Sequence, residues 1–396
     1  MNYLEDFPML KKGIVYFDNA ATTYKPKNVI NSLIDYNINF TANSHRGDYN
    51  NSFKVDDEID KTREKVRQFI NADLKEEIIF TMNATDSLNM VVNGFFEHIL
   101  NKDDEVLLSK AEHASNILPW IMLSLKKGIK IKYIPLDEEN KIKIENIKNL
   151  ITSKTKVISL AYITNVIGDK RNIKEISNLA HNNNIYMVVD GAQSVPHIKT
   201  DVKDIDCDFL AFSAHKMCGP TGVGVLYGKY ELLKKMIPYK VGGGMNESYN
   251  EHSIEFETIP LRFEAGTPNI NGIIAFRHAI EYIENIGLEN IERSEKYLRK
   301  YLIRELSKIP YIDILNPNSD GSIVLIKVKD KFAGDVGLYL NSKGICVRSG
   351  KHCVKMLKDE SGFDDTVRIS LYFYNTYEEI DYLIYCLKDK ENLYNF

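Results

Sequence analysis

The residue with the most chemistry open to it is a lysine in a glycine-containing turn. Ser213-Ala214-His215-Lys216-Met217-Cys218-Gly219-Pro220-Thr221-Gly222 follows the apolar run Phe209-Leu210-Ala211-Phe212, so Lys216 leaves a strand end into a tight loop. Such a lysine is either a solvated loop residue or, once desolvated, an amine of depressed pKa that forms a Schiff base with a carbonyl. Ser213 and His215 add donors on either side, and the glycines let backbone N–H groups approach an anion. Upstream, Val188-Val189-Asp190-Gly191-Ala192-Gln193 ends another strand with a carboxylate. Asp190 reads as a helix cap or as the partner of a pyridinium N–H, with the Gln193 amide close by. Thr85 lies in Thr81-Met82-Asn83-Ala84-Thr85-Asp86, a strand-to-helix junction. Free N–H groups and the macrodipole favour an anion there, although Thr and Asp are also ordinary N-caps. His113, in Glu112-His113-Ala114-Ser115-Asn116, follows a further strand end. It is either a structural residue or an acid/base stacked on an aromatic ring.

Cys353 closes Arg348-Ser349-Gly350-Lys351-His352-Cys353. Cationic neighbours lower a thiol pKa, so it reads as a nucleophile or as an ordinary exposed thiol. Cys207, Cys218, Cys346 and Cys386 adjoin apolar or strand residues and read as structural. An odd set of 5 cysteines without a C-x-x-C pair disfavours a disulfide framework and a structural zinc site. No metal is expected.

The elements that must position these residues alternate between short β-branched runs and amphipathic helical patterns. Strands are expected at 78–81, 106–109, 129–134, 157–161, 185–189, 209–213 and 223–227, with helices between them, including Ser87 to Leu100. That alternation predicts an α/β fold with a largely parallel, doubly wound sheet, whose ligands gather beyond the strands' carboxyl ends. After Leu261 the texture changes to a long helical pattern from Asn271 to Tyr297 and beyond, then strands at 323–328, 345–347 and 367–373. Thr376-x-x-Glu379 is a capping box opening a last helix. A chain of 396 residues exceeds what one core usually organises. The expected division is an N-terminal arm 1–12, a large domain 13–265 and a smaller C-terminal α+β domain 266–396.

Lys plus Arg number 51 against 55 Asp plus Glu, a net charge of −4, which argues against a nucleic-acid partner. The longest apolar run, Leu118 to Leu125, is far short of the roughly 20 residues a membrane span requires. The start lacks the layout of a secretion signal. A reduced, cytoplasmic protein without membrane partners is expected.

Taken in order, these stretches resemble a known family. Phe17-Asp18-Asn19-Ala20-Ala21-Thr22-Thr23, Ser44-His45-Arg46-Gly47, Glu112-His113, Thr164-Asn165-Val166-Ile167-Gly168, Asp190-Gly191-Ala192-Gln193, Ser213-x-His215-Lys216, Arg262 to Asn269 and Arg348 to Cys353 are similar to the motifs of class V aminotransferases, in particular the cysteine desulfurases of the sulfur-mobilising, selenocysteine-lyase-like branch. The resemblance implies fold type I, in which the large domain carries a mainly parallel, seven-stranded sheet between helices and binds pyridoxal 5'-phosphate. It implies Lys216 as the cofactor's attachment, Asp190 at the pyridine nitrogen, Gln193 and Asn165 near the ring hydroxyl, and His113 stacked on the ring. Thr85, Ser213 and His215 would bind the phosphate, with Thr267 supplied by the second subunit of a homodimer. Arg368 would pair with the substrate carboxylate, a match of guanidinium geometry, with Arg348, His45 and Arg46 as further substrate contacts. Cys353 would take sulfur from L-cysteine as a persulfide, leaving L-alanine, and pass it to an acceptor protein of iron–sulfur cluster assembly. Lys216 would take the Cα proton and His113 would exchange protons. Ala84, Ala114 and Lys351 depart from the family pattern. The alternatives are a selenocysteine lyase acting on L-selenocysteine, another class V C–S lyase or aminotransferase, and a non-catalytic sulfur-relay protein.

Overall fold

The computed structural model describes residues 3–45, 47–358 and 363–396. After a short strand β1 (Val15–Tyr16), one sheet is built from β2 (Ile78–Thr81), β3 (Glu105–Leu108), β4 (Lys130–Tyr133), β5 (Thr155–Ala161), β6 (Tyr186–Asp190), β7 (Phe209–Ser213) and β8 (Gly224–Gly228). Its order is β2-β8-β7-β6-β5-β3-β4. The pairs from β7 through to β4 are parallel, and β8 runs antiparallel to both of its neighbours.

Strand periodicity divides this sheet's side chains between two cores. Ile78, Phe80, Leu107, Ile158, Leu160, Met187, Val189, Leu210 and Phe212 face one core, with the helices Lys27–Asn39, Asn50–Phe69 and Ile173–Asn182. Ile79, Val106, Leu108, Val157, Val188, Phe209 and Ala211 face the other, with Ala84–Val91, the π-turn Val92–Phe96 and Leu118–Lys127. Burial on both faces is why the strand sequences are apolar without alternation.

The hairpin β9 (Asn246–Tyr249) and β10 (Ile254–Phe256) leads to the C-terminal third. There β11 (Ile312–Ile314), β12 (Ile323–Val328), β14 (Arg348–Gly350) and β15 (Thr366–Ser370) form an antiparallel sheet ordered β11-β12-β15-β14, while β13 (Ile345–Cys346) pairs in parallel with β1. The helices Leu288–Leu306, Ala333–Ser342 and Tyr377–Lys388 enclose a third core with it. Both hydrogen bonds of the Thr376/Glu379 capping box are present.

The long helix expected from Asn271 is two helices, Ile270–Ile286 and Leu288–Leu306, broken at Gly287, whose φ of 85° lies outside the helical region. Ile270–Ile286, which sequence texture groups with the C-terminal segment, buries Ile273, Ile274, Phe276 and Ile280 in the first core of the large sheet. Phe7 of the N-terminal segment sits in that core too, against Tyr282, Phe373 and Tyr374. Among the described residues no helix is long and apolar enough to cross a membrane.

A buried ion pair ties the 264–269 segment to the large sheet. Arg63 donates through Nη1 and Nη2 to the Glu264 carboxylate at 2.7 and 2.9 Å, and Nη1 also donates to the Ile78 carbonyl. Glu264 accepts the Phe80 N–H at 2.7 Å as well. Removing one partner strands a buried charge, which costs about 3 kcal/mol or more, whereas an exposed pair is worth about 1 kcal/mol at most. Arg63→Ala is therefore expected to lower the urea midpoint sharply. Lys65→Ala, which removes a more exposed contact to Glu284, should scarcely move it.

Candidate active site

The carboxyl ends of β5, β6 and β7, the turn after β3 and the start of helix Ala84–Val91 enclose a cavity of about 250 Å³. Thr85, His113, Asn165, Asp190, Gln193, Ser213, His215, Lys216, Arg348 and Arg368 line it together with Ala20, Ala21, Asn83 and Ser115. Residues scattered over most of the chain thus meet where an open α/β sheet gathers its ligands.

Lys216 ends a single 3₁₀ turn, Ala214–Lys216, directly after β7. That turn is pinned by the Ala214 N–H on the Val223 carbonyl and the Gly219 N–H on the Ala214 carbonyl. A Cβ on Gly219 would lie 2.8 Å from that carbonyl oxygen and 2.9 Å from the Phe276 ring, so only glycine fits. Lys216 is exposed only in part, to the cavity it lines. Burial pulls its pKa down to about 8, against the opposing attraction of Asp190. Asp190, 5% exposed at the end of β6, accepts the Ala192 N–H at 3.0 Å. Burial pushes its carboxyl above the usual range, while that N–H and Lys216 pull it back.

His113 is kept neutral. Burial, then the charges of Lys216, Arg348 and Arg368, push it down to about 4. The Ser115 backbone N–H donates to Nδ1 at 3.2 Å, and a backbone amide can only donate. The ring proton of neutral His113 therefore sits on Nε2. Next to it, Glu112 is fully buried and takes the Arg171 guanidinium, the Ala161 N–H and the Asn116 amide, so the turn after β3 is bolted to the end of β5. The Ser115 hydroxyl links His113 to Thr85, at 3.0 Å from Nδ1 and 2.7 Å from Thr85 Oγ1. Ser213 Oγ accepts the Ala84 N–H at 2.8 Å. Burial holds His215 neutral as well, with a pKa of about 4.

The C-terminal sheet supplies the remaining wall. Arg368 is 1% exposed on β15 and donates through Nη1 to the Asn165 carbonyl at 3.0 Å and through Nη2 to Asp18 at 2.9 Å. Gln193 donates to the Ala20 carbonyl at 2.8 Å. Asn165 donates Nδ2 to the His352 carbonyl at 3.0 Å, and its buried Oδ1 has no partner among the described residues.

Cys353 is exposed and meets the cavity through Arg348, whose Nη2 donates to Sγ at 3.2 Å. Its carbonyl accepts the Ala114 N–H at 3.0 Å. Of the cationic neighbours read from the sequence, Arg348 alone is seen bonded to the thiol. Lys351 pairs with Asp364 at 3.4 Å, and the His352 ring is buried on Thr366 at 2.9 Å. His352 and Cys353 hold positive φ values of 50° and 62°, a backbone that side chains beyond glycine rarely adopt. Burial raises the thiol pKa of Cys346 and takes that of Cys218 up to about 12.

Thr267 and His45 do not line this cavity. Thr267 accepts from Asn43 at 3.3 Å, and His45 lies beside Asp56 at 3.5 Å. Arg46 lies outside the described residues. Asp18 and Ser115, which sequence reasoning gave no role, are bonded to Arg368 and His113.

The aminotransferase class-V family model matches residues 15–383. A probable cysteine desulfurase of Halalkalibacterium halodurans is 40% identical over 95% of this chain and 94% of its own length. A cysteine desulfurase of Haloferax volcanii is 37% identical over 94% and 88%. Among solved structures, the apo cysteine desulfurase of Thermococcus onnurineus superposes with a TM-score of 0.94 at 34% identity, covering 99% of this chain and 97% of that one. The cysteine desulfurase of Escherichia coli does so with 0.93 at 32%, covering 99% and 97%. This chain belongs to aminotransferase class V. Pyridoxal phosphate is the cofactor, and the cavity fits it. A buried carboxylate, a desolvated amine, an unpartnered buried amide oxygen and a set of hydroxyl and imidazole groups at a helix start all face one space.

An amine attacks a carbonyl only when unprotonated. Attachment of pyridoxal phosphate to the apoprotein, followed by absorbance, should therefore accelerate as pH rises and level off above about 8 rather than near 10.5. Lys216→Ala should show no attachment at any pH.

Proposed function

We infer that the chain is a pyridoxal phosphate-dependent cysteine desulfurase that holds the sulfur of L-cysteine on Cys353. The observation that carries this reading is the Arg348 guanidinium, which lines the cavity and donates to Cys353 Sγ at 3.2 Å. A thiol outside the cavity is thereby coupled to chemistry within it.

Lys216 holds the cofactor, Asp190 its ring nitrogen, and Gln193 and Asn165 the region of its ring hydroxyl. Thr85, Ser213 and His215 hold its phosphate. When bound, it supplies the electron sink that makes the substrate's Cα–H bond acidic. Arg368 binds the substrate carboxylate through two parallel N–H bonds. Neutral Lys216 Nζ takes the Cα proton, and His113 is placed to exchange protons during these steps. Cys353 attacks the substrate sulfur as the thiolate. The S–S bond forms as the C–S bond breaks, and its electron pair stays with carbon. One L-cysteine and one Cys353 thiol give one L-alanine and one persulfide, without an external oxidant.

The active form is a homodimer in which Thr267 serves the phosphate site of the neighbouring cavity. Exposed Met82, Val241, Tyr249 and Ile254 support that reading. The persulfide passes to an acceptor protein of iron–sulfur assembly, in a cytoplasmic compartment reducing enough to keep the five cysteines free.

Cys353→Ala should load cofactor and bind L-cysteine, because Lys216, Asp190 and Arg368 are untouched. Alanine release from cysteine should fall by about 100-fold or more with the nucleophile gone, and mass spectrometry should find no persulfide. Cys346→Ala, which removes a thiol whose pKa burial raises, should retain both activities. A persulfide on Cys346, or undiminished alanine release by Cys353→Ala, would sink the assignment. Selenocysteine cleavage that survives in Cys353→Ala while cysteine turnover was never present would make the protein a selenocysteine lyase.

A further inference from the structure

The guanidinium assigned to the substrate carboxylate already faces an anion. Arg368 donates through Nη2 to Asp18 Oδ1 at 2.9 Å and through Nη1 to the Asn165 carbonyl at 3.0 Å, while its buried Nε has no partner among the described residues. A guanidinium is planar and carries five N–H donors. Two anchors on different nitrogens fix its plane, and the remaining N–H groups, Nε among them, are left in a set orientation.

Asp18 is itself immobilised from several directions. It forms a parallel bridge with Ser370, which lies two positions beyond Arg368 and so on the same face of β15. The Ser370 N–H donates to the Phe17 carbonyl at 2.7 Å, Asn19 Nδ2 donates to the Ser370 carbonyl at 2.8 Å, and the Ala20 N–H donates to Ser370 Oγ at 3.0 Å. Ala20 and Ala21 then run on into the cavity wall. The Asp18 side chain is 23% exposed, so its charge is partly hydrated while Arg368 is fully enclosed.

We propose that Asp18 is a positioning residue for Arg368. It orients the guanidinium fork and thereby sets the affinity of the site for substrates bearing an α-carboxylate. This rests on the reading of Arg368 as the carboxylate-binding residue. Arg348 and Arg368 place two guanidinium groups around one cavity, against Asp190. Without Asp18, the enclosed guanidinium would lose its only carboxylate partner among the described residues and turn toward other acceptors. A carboxylate substrate would then have to reorder it on binding.

The test uses the holoenzyme with L-cysteine and with L-cysteine methyl ester, which lacks the carboxylate charge. Asp18→Ala is expected to raise KM for L-cysteine about 10-fold, the scale of one charge-assisted contact, and Asp18→Asn, which keeps an acceptor oxygen, about 3-fold. Neither should change kcat more than about 2-fold, and KM for the ester should stay within about 2-fold in both. Arg368→Lys is the reference and should raise KM for L-cysteine alone. If it does not, the carboxylate reading falls and the proposal with it. If it does while both Asp18 variants leave KM for L-cysteine unchanged, the proposal alone is overturned. Equal KM increases for cysteine and its ester would also overturn it, since they would mark general damage to the cavity. If Asp18→Ala does not fold, the near-isosteric Asp18→Asn decides between these outcomes.

Discussion

Taking the Lys216 amine and the Asp190 carboxylate out of bulk water is the constraint on which this structure turns. The two groups leave the ends of adjacent parallel strands, β7 and β6, and burial drives each toward its neutral form. Neither is stable as an isolated charge in such a place, so each is held against the other's field and against fixed dipoles. That enclosure exists because the central strands are covered on both faces. The two helix layers are thus as much a requirement of the chemistry as of folding. The glycine at 219 belongs to the same requirement, since a bulkier residue would push the turn carrying Lys216 away from the sheet.

Around this pair the protein sets charge states by geometry rather than by solvent. Burial, reinforced by the cations nearby, disfavours the charged form of His113 and of His215. The fully buried Glu112 and its partner Arg171 hold the turn of His113 at a set height above β5. On the opposite wall the left-handed backbone at His352 and Cys353 is retained because neighbouring groups over-determine it. Asn165 grips one carbonyl of that pair and the Ala114 N–H the other.

The elements that position the site were largely legible because they are buried on both sides. Strand β7 was read at its observed bounds, and β2 likewise, since uninterrupted apolar runs bounded by polar turns have few other meanings. The long helix after Asn271 was read through Gly287, because an isolated glycine in a helical pattern is tolerated unless tertiary packing turns the chain there. Lys216, Asp190 and His113 were legible from the strand ends they follow. Asp18 and Ser115 were not, for their contacts are made across the fold or through a backbone amide and leave no periodic trace. The surroundings of Cys353 were read as three cations in sequence. In space, Lys351 and His352 have found other partners.

The strand β1 and the residues that follow it carry a consequence for how the molecule comes into being. Val15 and Tyr16 zip onto Ile345 and Cys346, and the stretch from Asp18 to Ala20 is stitched to Ser370 and Asn375. The side chains that define the arginine pocket are therefore separated by nearly the whole length of the chain. A nascent polypeptide emerging from the ribosome can lay down the large sheet and its lysine long before that pocket exists. Because loop-closure entropy must be overcome before such distant contacts give any return, the pairing of Asp18 with Arg368 is among the costliest contacts of the fold to close. The amine at the end of β7 can thus be in place before the Asp18–Arg368 pair is, and the stitch at Ser370 is what completes the far wall of the cavity.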